Sequence, residues 1–452
     1  MTSLKKELQE RGFIYQISDE KVFEKLEKGG ISFYCGFDPT SDSLHLGNFI
    51  GFMCAVHLML KGNTYYALVG GATGMIGDPG GKENERTFLS EENLKKNEKA
   101  IGEQFKNILV GLERSTGKKL PFKLVNNLDF YTGLSYLDFL REVGKYHTVN
   151  QMMAKDTVKK RIEDPSKSIS YTEFSYMLLQ GYDFYKLFSE NNVQVEIGGQ
   201  DQWGNLVTGI ELVRKKTEAE VYAFTWPLML DASGKKFGKS EGNALFLDKN
   251  KTSAYKIYQY FLNTADEDVE KFLKILTLLD LEKIENIIKT HKACPEDRYG
   301  QNMLAYKVVE IIHGEKSAIF SFHLSSVIFG WGNSFVQKYS KSFKDFNLSQ
   351  IEKNVPQSVI ELLSNSDDEA IFETYNEIGG VEYKEQNLFE LFVSSGLEQS
   401  NSTARKTFQS GGMFINEKKI EDAKYDFSAD FVNGKFLVLR KGKKNYKIVI
   451  KK

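Results

Sequence analysis

The chain has 452 residues, a formal net charge of −1 and 41% hydrophobic residues, which is enough for about three domains with sizeable cores. It contains no apolar run of membrane-spanning length, and its start lacks the basic and apolar blocks of a signal peptide. Cys35, Cys54 and Cys294 are scattered without a Cys-x-x-Cys pair. This usage disfavours disulfides and a zinc site, and we expect a cytoplasmic protein.

The charge is unevenly distributed along the chain. From Gln386 to the end there are thirteen Lys/Arg and seven Asp/Glu, so the rest of the chain is acidic. A basic tail on an acidic body indicates a polyanionic partner such as RNA, although a solvated lysine-rich surface would give the same pattern. The candidate RNA-binding residues are Arg405, Lys406, Arg440, Lys441, Lys443 and Lys444.

The first half of the sequence predicts an α/β sheet. The segments "ISFYCGF" and "TYYALVG" are typical of buried strands, and the helical pattern between them makes the sheet parallel. A helix-rich insertion follows, from about residue 89 to about residue 190. The segments "VQVEIGG" and "WPLMLD" then predict further strands.

The second half predicts two smaller parts. Amphipathic helices are predicted from Thr252 to about Tyr339. The acidic, irregular stretch that follows predicts a linker. In the tail, helices alternate with short strands. The predicted domains are therefore 1–232, 233–339, a linker at 340–385, and 386–452.

The stretch "FYCGFDPTSDSLHLGN" predicts a nucleotide site. Ligands of open parallel sheets bind beyond the carboxyl ends of the strands, where Tyr34 and Asp38 lie. His45 and Asn48 share a face at the start of the next helix, and helix N-termini favour phosphate. Gly47 leaves backbone accessible between them. Alternatively, His45 only makes a local hydrogen bond in the cap region.

Two further glycine-rich stretches carry cations. In "VGGATGMIGDPGGKENER", Glu83 occupies the place of the Ser/Thr that a P-loop needs, so what remains is a loop presenting Lys82 and Arg86. Such a loop suits charge that develops in a transition state. In "DASGKKFGKSEGN", Lys236 and Lys239 are spaced to reach one polyanion, although an ordinary lysine-rich turn would look the same.

Polar residues recur at helical spacing in "YMLLQGYD". Tyr176, Gln180 and Asp183 stand at i, i+4 and i+7, which places them on one helix face. That face either points at water or lines a pocket that satisfies a ligand's polar groups. Asp201 and Gln202 follow another strand end in "EIGGQDQWGN".

Taken in order, these segments resemble the bacterial-type tyrosyl-tRNA synthetases, a class I aminoacyl-tRNA synthetase family, over essentially the whole chain. The resemblance implies a Rossmann-like catalytic domain with a helical dimerisation insertion, an α-helical anticodon-arm domain and a small ribosomal-protein-like RNA-binding domain. Two positions depart from the class I signatures: Asn48 ends the H-x-G-H motif, and Lys236–Ser240 is a variant of K-M-S-K-S. These two departures leave the expected nucleotide-binding role in place and affect only how much each group contributes to it.

The resemblance also implies roles for individual residues. Tyr34 and Asp183 would hold a tyrosine phenol, while Asp78, Tyr176, Gln180 and Gln202 would hold its ammonium and carboxylate ends. The residues expected to bind ATP are Gly36, Asp38, Thr40, His45, Gly47, Asn48, Gly199, Asp201 and Lys239. The residues expected to act in catalysis are Thr40, His45, Asn48, Lys82, Arg86, Lys236 and Lys239.

The expected reaction is activation of L-tyrosine with ATP, followed by transfer to the 3′ end of tRNA(Tyr). Mg²⁺ would come with ATP on its phosphates, with no metal held by the protein, and the enzyme would be a homodimer. Three alternatives remain: a tryptophanyl-tRNA synthetase, another class I-like nucleotidyltransferase that makes a small adenylate, and an RNA-binding protein with a relict catalytic fold.

Overall fold

A computed structural model describes residues 3–79, 90–164, 168–235, 237–240, 243–345, 351 and 355–451. The described chain divides into two compact units. The first contains residues 1–251 and 265–289, and the second contains residues 252–264 and 290–452. No helix within the described residues combines the length and the apolar character needed to cross a membrane.

The described helices, in chain order, are α1 (Leu4–Arg11), α2 (Lys21–Lys28), α3 (Leu46–Met59), α4 (Thr73–Ile76), α5 (Glu91–Thr116), α6 (Leu128–Tyr131), α7 (Tyr136–Glu142), α8 (Val149–Met153), α9 (Asp156–Ile162), α10 (Tyr171–Asn191), α11 (Trp203–Thr217), α12 (Ala254–Leu262), α13 (Asp266–Leu276), α14 (Leu281–Ala293), α15 (Tyr299–His313), α16 (Glu315–Phe329), α17 (Gly332–Asp345), α18 (Val359–Ser364), α19 (Asp368–Ile378), α20 (Leu388–Ser394) and α21 (Asn401–Gln409).

The described strands are β1 (Gln16–Ile17), β2 (Ser32–Phe37), β3 (Thr64–Val69), β4 (Phe122–Asn126), β5 (Val193–Gly199), β6 (Tyr222–Trp226), β7 (Lys239–Ser240), β8 (Asn243–Ala244), β9 (Gly380–Glu382), β10 (Met413–Ile415), β11 (Lys418–Lys419), β12 (Phe436–Lys441) and β13 (Asn445–Ile450).

The first unit is built on a sheet whose described strands run in the order β1-β6-β5-β2-β3-β4. All neighbours are parallel except β1, which runs antiparallel to β6. The central strands are apolar and buried, as expected for a parallel sheet covered by helices on both faces. The predicted Rossmann-like fold with a helical insertion is confirmed.

The prediction for "WPLMLD" is wrong in its position. The strand is β6, which ends at Trp226, immediately before Pro227. Proline lacks the N–H that a sheet ladder needs, and it restricts the residue before it, so the strand stops there.

Helices α10 and α11 cross at two glycines. A Cβ on Gly209 would lie 2.9 Å from Cδ1 of Phe184, and a Cβ on Gly181 would lie 3.2 Å from Cγ2 of Thr208. The absence of these side chains lets the two backbones approach closely. The crossing fixes α10 against the sheet, and α10 carries Tyr176, Gln180 and Asp183.

The second unit joins helices to the small C-terminal sheet. Its described strands run in the order β11-β10-β12-β13-β9, with β9 and β13 parallel and the other pairs antiparallel. One cluster of buried residues connects α12, α16, α18, α19 and this sheet. A second cluster lies between the sheet and the helices α20 and α21.

The prediction that 340–385 is an irregular linker is wrong for part of that stretch. It contains α18, α19 and β9. Val359, Leu362, Leu363 and Ile371 are buried in the core that these helices share with the sheet. The acidic residues between these apolar positions gave the stretch a linker-like composition, while the apolar positions kept helical spacing. The domain boundaries themselves remain predictions.

We predict that Gly209→Ala lowers the midpoint of the urea transition of the chain. The added methyl group would overlap the Phe184 ring and cost about 1–3 kcal/mol of stability. Gly111→Ala on α5 is the matched control, because nothing lies within 4 Å of its added Cβ. Replacing that helical glycine should raise stability by about 0.5–1 kcal/mol. Circular dichroism during urea unfolding measures both, and equal effects would contradict the close crossing.

Candidate active site

A cavity of about 390 Å³ opens in the first unit at the carboxyl ends of β2 and β5. The sequence-predicted residues that line it are Tyr34, Gly36, Asp38, Thr40, His45, Gly47, Asn48, Asp78, Tyr176, Gln180, Asp183, Gly199, Asp201 and Gln202. They come from β2, β5, α10 and the starts of α3 and α11, which the fold brings to one edge of the sheet. Lys82, Arg86 and Lys236, together with the side chain of Lys239, lie outside the part of the chain that the structure describes.

The start of α3 forms one wall. His45 is the N-cap residue, and its Nδ1 accepts a hydrogen bond of 3.3 Å from the Asn48 backbone N–H. In return, Asn48 Oδ1 accepts one of 3.1 Å from the His45 N–H. A Cβ on Gly47 would lie 2.9 Å from the His45 ring, so glycine is needed for this cap. His45 thus makes the local hydrogen bond of the cap and also lines the cavity, and its role in binding a nucleotide stays a prediction.

Gly238 of the "KFGKS" segment packs against this helix start. Gly238 has φ +81°, and a Cβ there would lie 3.0 Å from Leu46 Cβ and 3.1 Å from the Gly47 nitrogen. Leu46 N–H also donates a hydrogen bond of 2.9 Å to the Leu245 carbonyl. The two class I signature segments are thus in direct contact, although the sequence separates them by about 190 residues.

Asp183 lies at the bottom of the cavity and is 1% exposed. Its Oδ2 accepts a hydrogen bond of 2.9 Å from Asn127 Nδ2, and its Oδ1 lies 2.9 Å from the Tyr131 hydroxyl. Burial raises the pKa of Asp183 to about 8, although the hydrogen bonds from Asn127 and Tyr131 act against this shift. The carboxyl group is held in one position by two side chains from a single short segment, α6 and the residue before it, which precedes it by about fifty residues.

Two more carboxylates are fixed by neutral donors nearer the opening. The Tyr176 hydroxyl donates a hydrogen bond of 3.1 Å to Asp38 Oδ2. Thr73 Oγ1 donates one of 2.9 Å to Asp38 Oδ1. Gln202 Nε2 donates one of 2.6 Å to Asp78 Oδ2. These residues form the polar side of the cavity with the geometry needed to receive a positively charged group.

The charged side chains that line the described part of the cavity are all acidic. Of the described lining residues, Asp38, Asp78, Asp183, Glu196 and Asp201 carry carboxyl groups, and none is lysine or arginine. The described residues contain no group of three or more His, Cys, Asp or Glu side chains arranged to hold a metal. A ligand that occupies the inner part of this cavity must therefore bring a cationic group or hydrogen-bond donors of its own.

The sequence interpretation missed several contributing residues. Glu196 is buried in β5 beside the cavity, and its Oε1 accepts a hydrogen bond of 2.9 Å from Gln180 Nε2. Asn127 is fully buried and connects Asp183 to Thr73. A charged residue between Val195 and Ile197 in a buried strand was a usable signal for Glu196, whereas Asn127 gave no pattern.

Trp226 forms part of the wall and was also missed. Its indole lies against α3, where a Cβ on Gly51 would be 2.7 Å from Cη2. A glycine in the middle of a helix costs about 1 kcal/mol, and here it makes room for the ring. The fold of α3 thus accommodates an aromatic side chain next to His45 and Asn48.

The candidate RNA-binding residues lie in the second unit and fall into two groups. Arg405 and Lys406 on α21, with Lys443 and Lys444 between β12 and β13, are exposed. Arg440 instead pairs with Glu417 at 2.7 Å and stacks over Phe414. Lys441 pairs at 2.9 Å with the buried carboxylate of Glu398.

Known proteins with matching sequences identify the family. Residues 26–329 match the model of tRNA synthetases class I (W and Y), and residues 370–449 match the Tyrosine--tRNA ligase SYY-like C-terminal domain. A tyrosine–tRNA ligase of Streptococcus pneumoniae serotype 19F is 42% identical over 442 residues, which cover 97% of this chain and 98% of the relative. One of Streptococcus suis is 41% identical over 445 residues, or 98% of each chain.

A solved structure agrees with these matches. The C-terminally truncated mitochondrial tyrosyl-tRNA synthetase of Aspergillus nidulans has a TM-score of 0.64 and 31% identity, covering 71% of this chain and 92% of that one. The fold, the cavity and these matches together define a class I aminoacyl-tRNA synthetase. Within that class, the chain belongs to the tyrosine–tRNA ligase family.

We predict that Lys441→Ala lowers the stability of the second unit, because it leaves the buried Glu398 carboxylate without its cation. The loss should be about 1–2 kcal/mol, discounted because the lysine is partly exposed. Lys444→Ala is the exposed control and should change stability by less than about 0.5 kcal/mol.

The pH dependence of this pair follows from the carboxyl group. The pKa of Glu398 is lowered, because hydrogen bonds from Thr407 and Lys441 outweigh its burial. Its stabilisation is therefore present above the unfolded pKa and is lost as the pH falls through the lowered value. Urea unfolding near neutral pH measures both variants, and equal midpoints would contradict a structural role for Lys441.

Proposed function

We propose that the cavity binds L-tyrosine and ATP, forms tyrosyl-adenylate with release of pyrophosphate, and transfers tyrosine to the 3′ end of tRNA(Tyr). The observation that carries this proposal is the pair Tyr34 and Asp183, two buried polar groups at the bottom of the cavity that a ring hydroxyl would satisfy. Family membership supports the same reaction.

The amino acid would enter with its ring toward Asp183. The phenol then lies between Tyr34 and Asp183, and the α-ammonium lies among Asp78, Tyr176 and Gln180, where the fixed carboxylates offset its charge. Phenylalanine would bury the same polar groups without a partner, which is the reason tyrosine enzymes reject it; this family is the standard example of that effect.

ATP would lie nearer the start of α3. His45, Asn48 and Thr40 line that side, with Gly36, Asp38, Gly199 and Asp201 beyond them. Adenylate formation needs positioning and charge neutralisation of the leaving pyrophosphate rather than covalent help from the protein. We assign the neutralising role to Lys82, Arg86, Lys236 and Lys239, and Mg²⁺ would be carried by the phosphates of ATP.

The partners of the rest of the chain are also proposals. Exposed Arg405, Lys406, Lys443 and Lys444 would contact the tRNA backbone, while Arg440 and Lys441 support their domain from within. The insertion exposes large apolar side chains, including Tyr136, Leu137 and Val149, which suit a homodimer interface. The three cysteines form no disulfide, which fits a reducing cytoplasm.

Pyrophosphate exchange tests the function directly. We predict that the chain exchanges pyrophosphate into ATP with tyrosine, and only weakly with phenylalanine or tryptophan. Asp183→Ala should raise the tyrosine KM about 100-fold or more, because it removes the acceptor for the phenol and takes one of its acceptors from the Asn127 amide.

The control for this variant is Asp156→Ala, an exposed aspartate on α9 outside the cavity, which should leave the tyrosine KM unchanged. Exchange with tryptophan in preference to tyrosine would overturn the assignment of substrate. An unchanged tyrosine KM in Asp183→Ala would overturn the assignment of the phenol site.

A second prediction concerns the contact between the two signature segments. Gly238→Ala should lower kcat for adenylate formation at least about tenfold, because the added Cβ would push the segment away from the start of α3. Gly234→Ala is the matched control, since it has the same backbone strain at φ +79° but nothing within 4 Å of its Cβ. Stopped-flow adenylation of both variants measures the difference, and similar rates would show that the contact is not needed.

A further inference from the structure

Glu196 places a second carboxyl group beside the bottom of the cavity. It lies on β5 directly opposite Tyr34 of β2 in the parallel ladder, and its side chain is 2% exposed. Its Oε1 accepts the hydrogen bond from Gln180, while Oε2 is buried without a partner at normal hydrogen-bond geometry among the residues that the structure describes. The Tyr34 hydroxyl is the neighbouring donor that interacts with this carboxyl group. A buried carboxyl oxygen left in this state is costly, so it indicates a missing partner or a proton.

The Tyr34 hydroxyl shares this environment. It too is buried without a partner at normal hydrogen-bond geometry within the described ranges, and burial together with the nearby carboxyl groups of Glu196 and Asp183 raises its pKa. Tyr131 adds a constraint, because its hydroxyl lies 2.9 Å from both Asp183 Oδ1 and the Leu179 carbonyl, and one proton cannot serve both. A protonated Asp183 would resolve that conflict.

The two carboxyl groups are buried beside the cavity without a cation. No lysine, arginine or histidine of the described chain forms an ion pair with either. Burial raises the pKa of Glu196 to about 7 and that of Asp183 to about 8, and the Glu196 carboxylate adds to the rise at Asp183. Either group can therefore carry a proton near neutral pH.

We propose that Glu196 is a positioning residue for the tyrosine phenol: in the complex it is protonated and donates to Tyr34, Tyr34 donates to the phenol oxygen, and the phenol donates to ionised Asp183. This inference rests on the proposed function, because it assigns the phenol to the space between Tyr34 and Asp183.

The hydrogen bonds that each carboxyl group accepts give this direction. Tyr34 and the phenol have one proton each, so a chain with one added proton could run from Glu196 to Asp183 or the reverse. In the complex, ionised Asp183 would accept from Asn127, Tyr131 and the phenol, whereas ionised Glu196 would accept only from Gln180 and Tyr34, so the negative charge is better stabilised on Asp183. With Glu196 ionised, Tyr34 would donate to Glu196 instead and could only accept from the phenol. The position of a single proton thus decides whether Tyr34 presents a donor or only an acceptor to the substrate.

The consequence is a pH dependence of tyrosine binding. The titratable groups that face Glu196 are Tyr34 and Cys35 from β2 and Asp183 from α10, while β6 places Ala223 opposite it. Because the complex keeps Glu196 protonated, binding raises its pKa, so the part of the affinity that depends on Glu196 is full below the free-site value of about 7 and falls as the pH rises through it. Ionised Asp183 acts in the opposite direction, because its pKa in the free site is about 8 and its loss weakens tyrosine binding as the pH falls below that value. The affinity of the wild-type chain should therefore be highest near neutral pH.

Glu196→Gln tests the proposal. A glutamine amide has the same shape, can accept from Gln180 and can donate to Tyr34 at every pH. We expect the wild-type tyrosine Kd, divided by that of the variant, to rise from about one near pH 6 to about ten near pH 8.5. Isothermal calorimetry with tyrosine measures both, and the ratio removes the titration of free tyrosine, which both proteins share.

Tyr34→Phe provides the second variant, which keeps the test informative if Glu196→Gln folds poorly. Without the hydroxyl, Glu196 has no path to the phenol, so the loss of affinity above neutral pH should disappear from this variant as well. A Kd ratio that stays constant with pH, or a Tyr34→Phe protein that keeps the high-pH loss, would overturn the role of Glu196.

These outcomes separate the inference from the function on which it rests. If the wild-type chain neither binds tyrosine nor exchanges pyrophosphate with it, the proposed function fails. If it does both and Asp183→Ala weakens tyrosine binding, while Glu196→Gln leaves the pH profile unchanged, only the role of Glu196 fails.

Discussion

The active site depends on keeping Asp183 buried and fixed. A carboxyl group at this depth is costly, and the structure offsets the cost with neutral donors rather than with a cation. Asn127 immediately precedes α6, Tyr131 ends it and Asp183 lies in the middle of α10, so the site exists only after two segments about fifty residues apart are packed together. The close crossing of α10 and α11 at Gly181 and Gly209 holds the last of these in place.

The choice of neutral donors has a chemical reason. An arginine or lysine beside Asp183 would fix it as an anion and fill the space that the substrate ring needs. With Asn127 and Tyr131, the carboxyl group remains able to gain or lose a proton. In the proposed complex, the ammonium group of tyrosine would supply positive charge to this acidic lining.

Much of this arrangement was predictable from sequence because it depends on local spacing. The strands, the helix start at His45 and the face shared by Tyr176, Gln180 and Asp183 follow from short-range periodicity. The contributions of Asn127 and Glu196 could not be predicted from such local spacing, because they depend on strands that meet only in the folded sheet. The linker prediction for the acidic stretch that contains α18 and α19 failed for the same reason, because the apolar residues of that stretch are buried only when they pack against the C-terminal sheet.

The position of Trp226 has a practical value. The chain has three tryptophans, and this one borders the cavity and touches the helix that begins at His45. Its emission is sensitive to the polarity and packing of its surroundings, so the protein carries an intrinsic optical probe at the side of the cavity where we propose that ATP binds. Occupancy of that side can be followed in unlabelled protein, without attaching a dye that would disturb the close packing around Gly51.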